Sequence, residues 1–282
     1  MFALLVGLVG LLQAASELDS APHRAQPVTV SEGVELEVLD FGGRGRPIVL
    51  LAGLGNTAHV FDDFAPKLTS IGHVFAITRR GFGASTRTES GYDVARLGED
   101  VLAVIDGLAI GKPILVGHSL GGQELSYLAS AHTERVAAVV YLEAAYRYAF
   151  DVPGEFERDF PSLPAPPSTP APAPAIASIQ LPEAERRQPR GHPGAAQAIL
   201  AGSQQFTKID VPALAIFASP HDVATGDFER FDEAMTERQA RAFERGVPRA
   251  RVLRWRRASH YIFLTLQDDV VKAITSFLAT LP

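Results

Sequence analysis

The sequence predicts an α/β protein: a mostly parallel central sheet with helices on both faces, carrying a small Pro-rich, partly helical insertion. Three observations predict it. Short continuous apolar runs recur along the chain, as in Ile48-Val-Leu-Leu51 and Ala213-Leu-Ala-Ile-Phe217, the signature of strands buried on both faces. Helical patterns separate most of them. One stretch, 147–205, breaks the rhythm and holds 11 of the 20 prolines.

Taken in order, Val28-Thr-Val and Val34-Glu-Leu-Glu-Val-Leu39 alternate and read as an antiparallel pair, closed by Gly42-Gly-Arg-Gly-Arg46. Buried strands follow at Ile48–Leu51, His73–Ile77, Ile114–Val116, Ala137–Leu142, Ala213–Phe217 and Ala250–Arg254. Helices are expected over Glu124–His132, Val94–Ile105, Phe228–Phe243 and Asp269–Leu278, with short ones over Leu181–Gln188 and Gly194–Leu200. Arginines crowd into Arg249–Arg257, but their alternation with Val252, Leu253 and Trp255 suits a strand with a charged outer face. Pro170–Pro174 is expected to be extended and unpaired. The domain reading is a core of 27–146 and 206–282, with 147–205 as a cap or lid.

A chain of 282 residues with 46% hydrophobic content buries one large core. Its net charge of −6 argues against nucleic acid or an anionic membrane surface as partner. Residues 1–16, apolar through Leu12 and then small at Ala14-Ala15-Ser16, read as a signal peptide, although no Lys or Arg precedes the apolar run. The expectation is an exported, periplasmic or secreted protein without stable membrane insertion after cleavage. An uncleaved N-terminal tether is the alternative, and monomer is the default. Without cysteine, no disulfide staples the fold.

Chemistry concentrates in Pro113-Ile-Leu-Val-Gly-His-Ser-Leu-Gly-Gly122, where a strand-like run ends in Gly117-x-Ser119-x-Gly121 and continues as a helix. A nucleophilic serine needs such a turn, because its oxygen must stand clear of the backbone while flanking chains approach closely. The following helix aims its N-terminal amides at charge developing in acyl transfer. Of the eight histidines, His260 follows a strand at the edge where site residues of a parallel sheet gather, and is read as the base. His118 is read as supporting the elbow; His59, His192 and His221 read as polar surface or ligand contacts. Asp222, just after the strand Ala213–Phe217, is the expected acid in the chain order Ser119, Asp222, His260. Glu143, ending the strand before, is the rival. The oxyanion amides are assigned to Leu120 and Leu54, with Asn56, Thr57, His118 and Phe150 as pocket residues. Phe156, Phe160 and Leu163 read as a lipophilic lining or as anchors of the cap.

Gly53-Leu-Gly55, Arg79-Arg-Gly-Phe-Gly-Ala-Ser85, Gly117–Gly122, Ser219-Pro-His-Asp222 and Ala258-Ser-His260 together resemble the α/β-hydrolase superfamily, in its esterase-like branch with a cap after the sixth strand. Ala52 departs from it, standing where many relatives carry histidine. The resemblance implies a serine hydrolase of a small ester-like substrate, with no metal and no organic cofactor. It implies an architectural role for the Arg79–Ser85 turn. Amide, lactone or C–C hydrolysis, perhydrolase or haloperoxidase chemistry, and ligand binding with little turnover are the alternatives. A serine at the elbow speaks against the dehalogenase and epoxide hydrolase chemistries, where relatives carry aspartate.

Overall fold

A computed structural model describes residues 23–155, 158, 164, 179–189, 191, 192 and 194–282. The N-terminal signal segment, the run Pro170–Pro174 and Phe156, Phe160 and Leu163 lie outside the described residues. Eight strands form one sheet in the order β1-β2-β4-β3-β5-β6-β7-β8. They are β1 (Arg24–Ser31), β2 (Val34–Gly42), β3 (Pro47–Leu51), β4 (His73–Ile77), β5 (Ile114–His118), β6 (Ala138–Leu142), β7 (Ala213–Ala218) and β8 (Ala250–Trp255). The β1–β2 and β2–β4 pairs are antiparallel, and every later pair is parallel. The apolar runs therefore mark the parallel strands, as the sequence predicts.

Those runs are continuous because each face of the sheet carries its own core. Val49, Leu51, Leu115, Val139, Ala215 and Phe217 point to one cluster, while Ile48, Leu50, Ile114, Val140, Leu214 and Ile216 point to the other. Successive side chains of a strand face opposite ways, so a two-sided sheet needs an apolar residue at every position. On the first face lie α1 (Val94–Gly107) and α2 (Gly121–Ala131). The second is covered by a 3-10 turn, Ala58–Phe61, and by the C-terminal helix Gln267–Leu278. Asp93 caps α1 by accepting from Arg96 N at 3.0 Å.

The edge strand β8 is only half-buried, and Arg254 on it and Arg256 just after it face carboxylates. Arg254 donates to Glu237 at 2.7 Å and to Glu244 at 3.0 Å, and Arg256 to Glu233 at 2.7 Å. Within 147–205 two short helices are described, α3 (Glu183–Arg187) and α4 (Ala195–Ala201). Both sit close to the two segments expected.

Arg79, at the end of β4, fixes the turn the sequence reads as architectural. Its guanidinium bonds Glu124 of α2 at 2.6 and 3.0 Å and the Ala52 carbonyl at 2.9 Å. Arg80 meets Asp100 of α1 in a second two-pronged pair, at 2.5 and 2.6 Å. Removing one member of a buried pair strands the other charge, at a cost of about 3–5 kcal/mol. Arg79→Met is expected to lower unfolding stability by an amount of that order, read by denaturant titration. A change below about 1 kcal/mol would show that solvent reaches Glu124.

Candidate active site

The C-terminal ends of β3, β5, β6 and β7, with the loop after β8, converge on Ser119. β5 ends at His118, and Ser119 turns the chain with φ 47°, a left-handed conformation that few residues with a Cβ adopt. Its N–H donates to the Leu142 carbonyl at 3.2 Å, tying the elbow to the end of β6. The glycines after it permit the packing: a Cβ on Gly121 would meet the Leu51 carbonyl at 2.7 Å, and one on Gly122 the Ala144 carbonyl at 2.1 Å.

The first half of the predicted oxyanion pair is Leu120, the residue at which α2 begins. The second, Leu54, follows Gly53, whose missing side chain is what lets this loop approach. A Cβ there would stand 3.1 Å from Ser119 Cβ. Among the described residues the Leu54 and Leu120 amides have no hydrogen-bond partner. Arg79 holds the same loop from behind through Ala52. Both predicted donors thus border Ser119, and no described residue accepts from their N–H groups.

His260 sits where the sequence puts it, on the loop after β8, and is partly exposed. Its acid differs from the expectation. Among the described residues the carboxylate bonded to His260 Nδ1 is that of Glu143, at 3.1 Å, and Asp222 is not in this cluster. Asp222 is exposed, and its backbone N–H donates to the Ala258 carbonyl at 3.0 Å. The reason is one residue of register. Where the chain leaves β7, His221 bridges to Ala258 and points inward, so its neighbour points out.

Glu143 is fully buried and itself has φ 51°. It accepts from Ala218 N at 2.5 Å, from the Tyr146 hydroxyl at 2.9 Å and from His221 Nε2 at 2.7 Å, besides His260. Burial alone would raise its pKa, but the bonds from His221 and His260 outweigh that and hold it down to about 2. His221 is clamped on its other side by Asp232 at 2.9 Å. Burial would lower its pKa, yet Asp232 and Glu143 raise it to about 10. The polar-surface reading of His221 therefore gives way to a buried counter-charge for the acid. With Nδ1 of His260 engaged, Nε2 is its remaining basic nitrogen.

His118 is buried at the elbow and is not a pocket residue. It lies 3.1 Å from the His260 carbonyl through Nε2 and packs on the rings of His260 and Tyr261. Burial, with the His260 ring beside it, pushes its pKa well below the usual value, so it is neutral and donates to that carbonyl. Asn56 and Thr57, expected at the pocket, face α3. Asn56 Nδ2 donates to Glu185 at 2.9 Å, Thr57 N to the same carboxylate at 3.1 Å, and Tyr261 donates to Asn56 Oδ1 at 3.1 Å. Phe150 lies in the core against Phe243, at 5.3 Å between rings. His59 is buried between Asp62 and Glu37 rather than at the surface, and His192 donates its N–H to the Gly81 carbonyl at 2.7 Å.

Two neighbours of the site were not anticipated, both in Ala144-Ala-Tyr-Arg-Tyr148. Tyr146 bonds the acid, and the phenol of Tyr148 lies beside the side chain of Ser119. Burial and the charge of Glu143 push the Tyr148 phenol up, keeping it protonated. Tyr148 also joins Leu54, Phe82, Leu120, Ala195 and Ile199 in an apolar cluster, which sets α4 against both oxyanion residues. A Tyr-x-Tyr beginning three residues after the candidate acid was the available signal.

An elbow serine at the carboxyl edge of a parallel sheet, with a histidine–carboxylate pair on the strand-end loops of the same edge, is the arrangement of a hydrolase scaffold. The family model for the alpha/beta hydrolase fold matches residues 46–265, and the chain belongs to that family. Among curated proteins it is 35% identical over 116 residues to epoxide hydrolase A of Mycobacterium tuberculosis, covering 40% of this chain and 36% of that one. It is 35% identical over 120 residues to the non-heme chloroperoxidase of Streptomyces lividans, covering 42% and 44%. It is 31% identical over 101 residues to the 2-(acetamidomethylene)succinate hydrolase of Mesorhizobium japonicum, covering 36% of each. The chain therefore spans less than half the length of these relatives. Among solved structures, E-2-(acetamidomethylene)succinate hydrolase aligns with TM-score 0.68 at 20% identity, over 92% of this chain and 100% of that one. The esterase RhEst1 from Rhodococcus aligns with TM-score 0.66 at 20% identity, over 93% and 100%. At such identity these alignments speak to the fold.

Proposed function

We propose that the protein is a serine hydrolase of a carboxylic ester, with Ser119 as nucleophile, His260 as base and Glu143, in place of Asp222, as the orienting acid. The observation that carries it is the fully buried Glu143 on His260 Nδ1, at the end of the strand whose Leu142 carbonyl accepts from the N–H of a serine held at positive φ. Ser119 Oγ attacks the carbonyl carbon as its proton passes to His260 Nε2, and the C=O pair moves onto oxygen. The Leu54 and Leu120 amides bind that oxyanion, each worth roughly 3–4 kcal/mol to the transition state. Collapse breaks the C–O bond, and His260 returns the proton to the departing alcohol. Water, deprotonated by His260, then cleaves the acyl-enzyme and frees the acid and Ser119. Tyr148, whose phenol stays protonated beside Ser119, serves as a further contact to the reacting oxygens. Residues 147–205 act as a cap whose α4 gives the acyl site an apolar wall, and the N-terminal apolar stretch supports export.

A second reading, cleavage of an amide-like bond at the same serine, draws on the similarity to the 2-(acetamidomethylene)succinate hydrolase. The test is turnover of p-nitrophenyl esters from acetate to palmitate, with fluorophosphonate labelling of the same preparation. Turnover with stoichiometric label on Ser119 is the expected result. Label without ester turnover would move the reading to the amide-like bond. A folded protein that neither turns over nor labels would overturn the nucleophile assignment.

A further inference from the structure

A second group of titratable side chains gathers on the β2 side of the sheet, separate from the Glu143, His221 and His260 cluster. His23 immediately precedes β1, Glu37 lies on β2, and His59 and Asp62 belong to the 3-10 turn that follows the oxyanion loop. One ligand atom each of His23, His59 and Asp62 lies within 4.8 Å of the others. All three side chains are almost closed to solvent, at 4%, 6% and 4% exposure. His59 Nδ1 stands 3.1 Å from Asp62 Oδ2, and His23 Nδ1 stands 3.5 Å from Asp62 Oδ1. The second spacing is long for an N–H···O bond. It is close to the edge of about 3.4 Å that a tetrahedron of 2.0–2.1 Å metal bonds requires.

The far side of the His59 ring completes the pattern. Its Nε2 faces Glu37 Oε1 at 3.4 Å, and Glu37 is itself oriented by the Thr78 hydroxyl at 2.7 Å. A metal-binding histidine characteristically gives one nitrogen to the ion and the other N–H to a carboxylate, which fixes the ring and its tautomer. We propose that His23, His59 and Asp62 bind a divalent transition-metal ion of the zinc class, with Glu37 as the outer carboxylate on His59. Two imidazoles and a carboxylate are the donors such an ion takes, whereas calcium and magnesium prefer oxygen alone. The bound ion ties the start of β1 to the turn after the oxyanion loop. Its effect is on stability and not on bond cleavage, so it stands apart from the hydrolase reading. The rival account is metal-free: burial would lower the His59 pKa, but Asp62 and Glu37 raise it to about 10, making a buried imidazolium between two carboxylates.

The test uses the full chain, stripped with a chelator and titrated with cobalt(II), whose visible bands report coordination by nitrogen and oxygen. One cobalt per chain, displaced by zinc, with a melting temperature raised by zinc, is expected. His23→Ala, at the edge of the fold, is expected to weaken binding more than about 100-fold and abolish the zinc shift, and Glu37→Gln to weaken it about 10- to 100-fold. Glu143, His221 and His260 also bring donor atoms within 4.8 Å, so His221→Ala is the control. Binding lost in His221→Ala but retained in His23→Ala would overturn the site. Failure of the stripped wild type to take up either metal would overturn it too, in favour of the imidazolium.

Discussion

Glu143→Gln is expected to lower kcat for ester cleavage by about 10³- to 10⁴-fold, the scale on which a triad loses its acid, while Asp222→Asn stays near wild type. The asymmetry follows from who meets His260 Nδ1: Glu143 at 3.1 Å, with Asp222 exposed. Every oxygen of Glu143 already faces donors, from Ala218, Tyr146, His221 and His260. A glutamine must turn its NH2 toward one of them, setting donor against donor, and it leaves His221 without its counter-charge on that side. KM should move little, because the carboxylate acts through His260 and not on substrate. The pH profile of stability provides a second readout. With the pKa of Glu143 lowered from 4.5 to about 2, its contribution is full above 4.5 and is lost as pH falls toward 2. The glutamine variant, compared by thermal melts across that window, should lose less stability on acidification. Equal kcat losses in Asp222→Asn and Glu143→Gln would return the acid role to the loop after β7.

The sheet was legible because burial on two faces leaves a one-dimensional trace, the unbroken apolar run, and each run predicted became a strand. The elbow was legible for a related reason: Gly117, Gly121 and Gly122 sit where a Cβ would meet neighbouring atoms, so local sterics write the motif into the chain. The acid was not legible to the same degree. Glu143 and Asp222 both follow parallel strands at the correct edge, and the choice turned on whether His221 or Asp222 faces inward, a register that no local pattern encodes. Phe150, Asn56 and Thr57, expected at the pocket, are engaged with other residues for a reason the chain does not display locally. Their partners, Phe243, Tyr261 and Glu185, lie far along the chain, and a side chain committed to packing or to a buried carboxylate reads in sequence like one that lines a cleft. The His23, His59 and Asp62 cluster had no spacing signature, since β1 and the 3-10 turn meet only in the folded sheet.

Ser119→Gly is expected to cost about 10⁶-fold in kcat and yet to leave a protein more stable than Ser119→Ala. Both variants lack the hydroxyl, so the comparison isolates the backbone. At φ 47° a Cβ crowds the following carbonyl at a cost of about 1–2 kcal/mol, a strain that alanine keeps and glycine removes. Glycine in turn loosens the unfolded chain by roughly 0.5–1 kcal/mol. The difference predicts that the glycine variant is the more stable by about 0.5–1 kcal/mol in denaturant titrations. Ala109, with φ 50° and far from the site, supplies the control: Ala109→Gly should gain a similar amount with turnover intact. If Ser119→Gly instead unfolds more readily than Ser119→Ala, the left-handed turn is imposed at no local cost. If the gain appears at both positions, the elbow's strain is ordinary left-handed strain, retained at residue 119 because the nucleophile's oxygen has to leave the backbone in that direction.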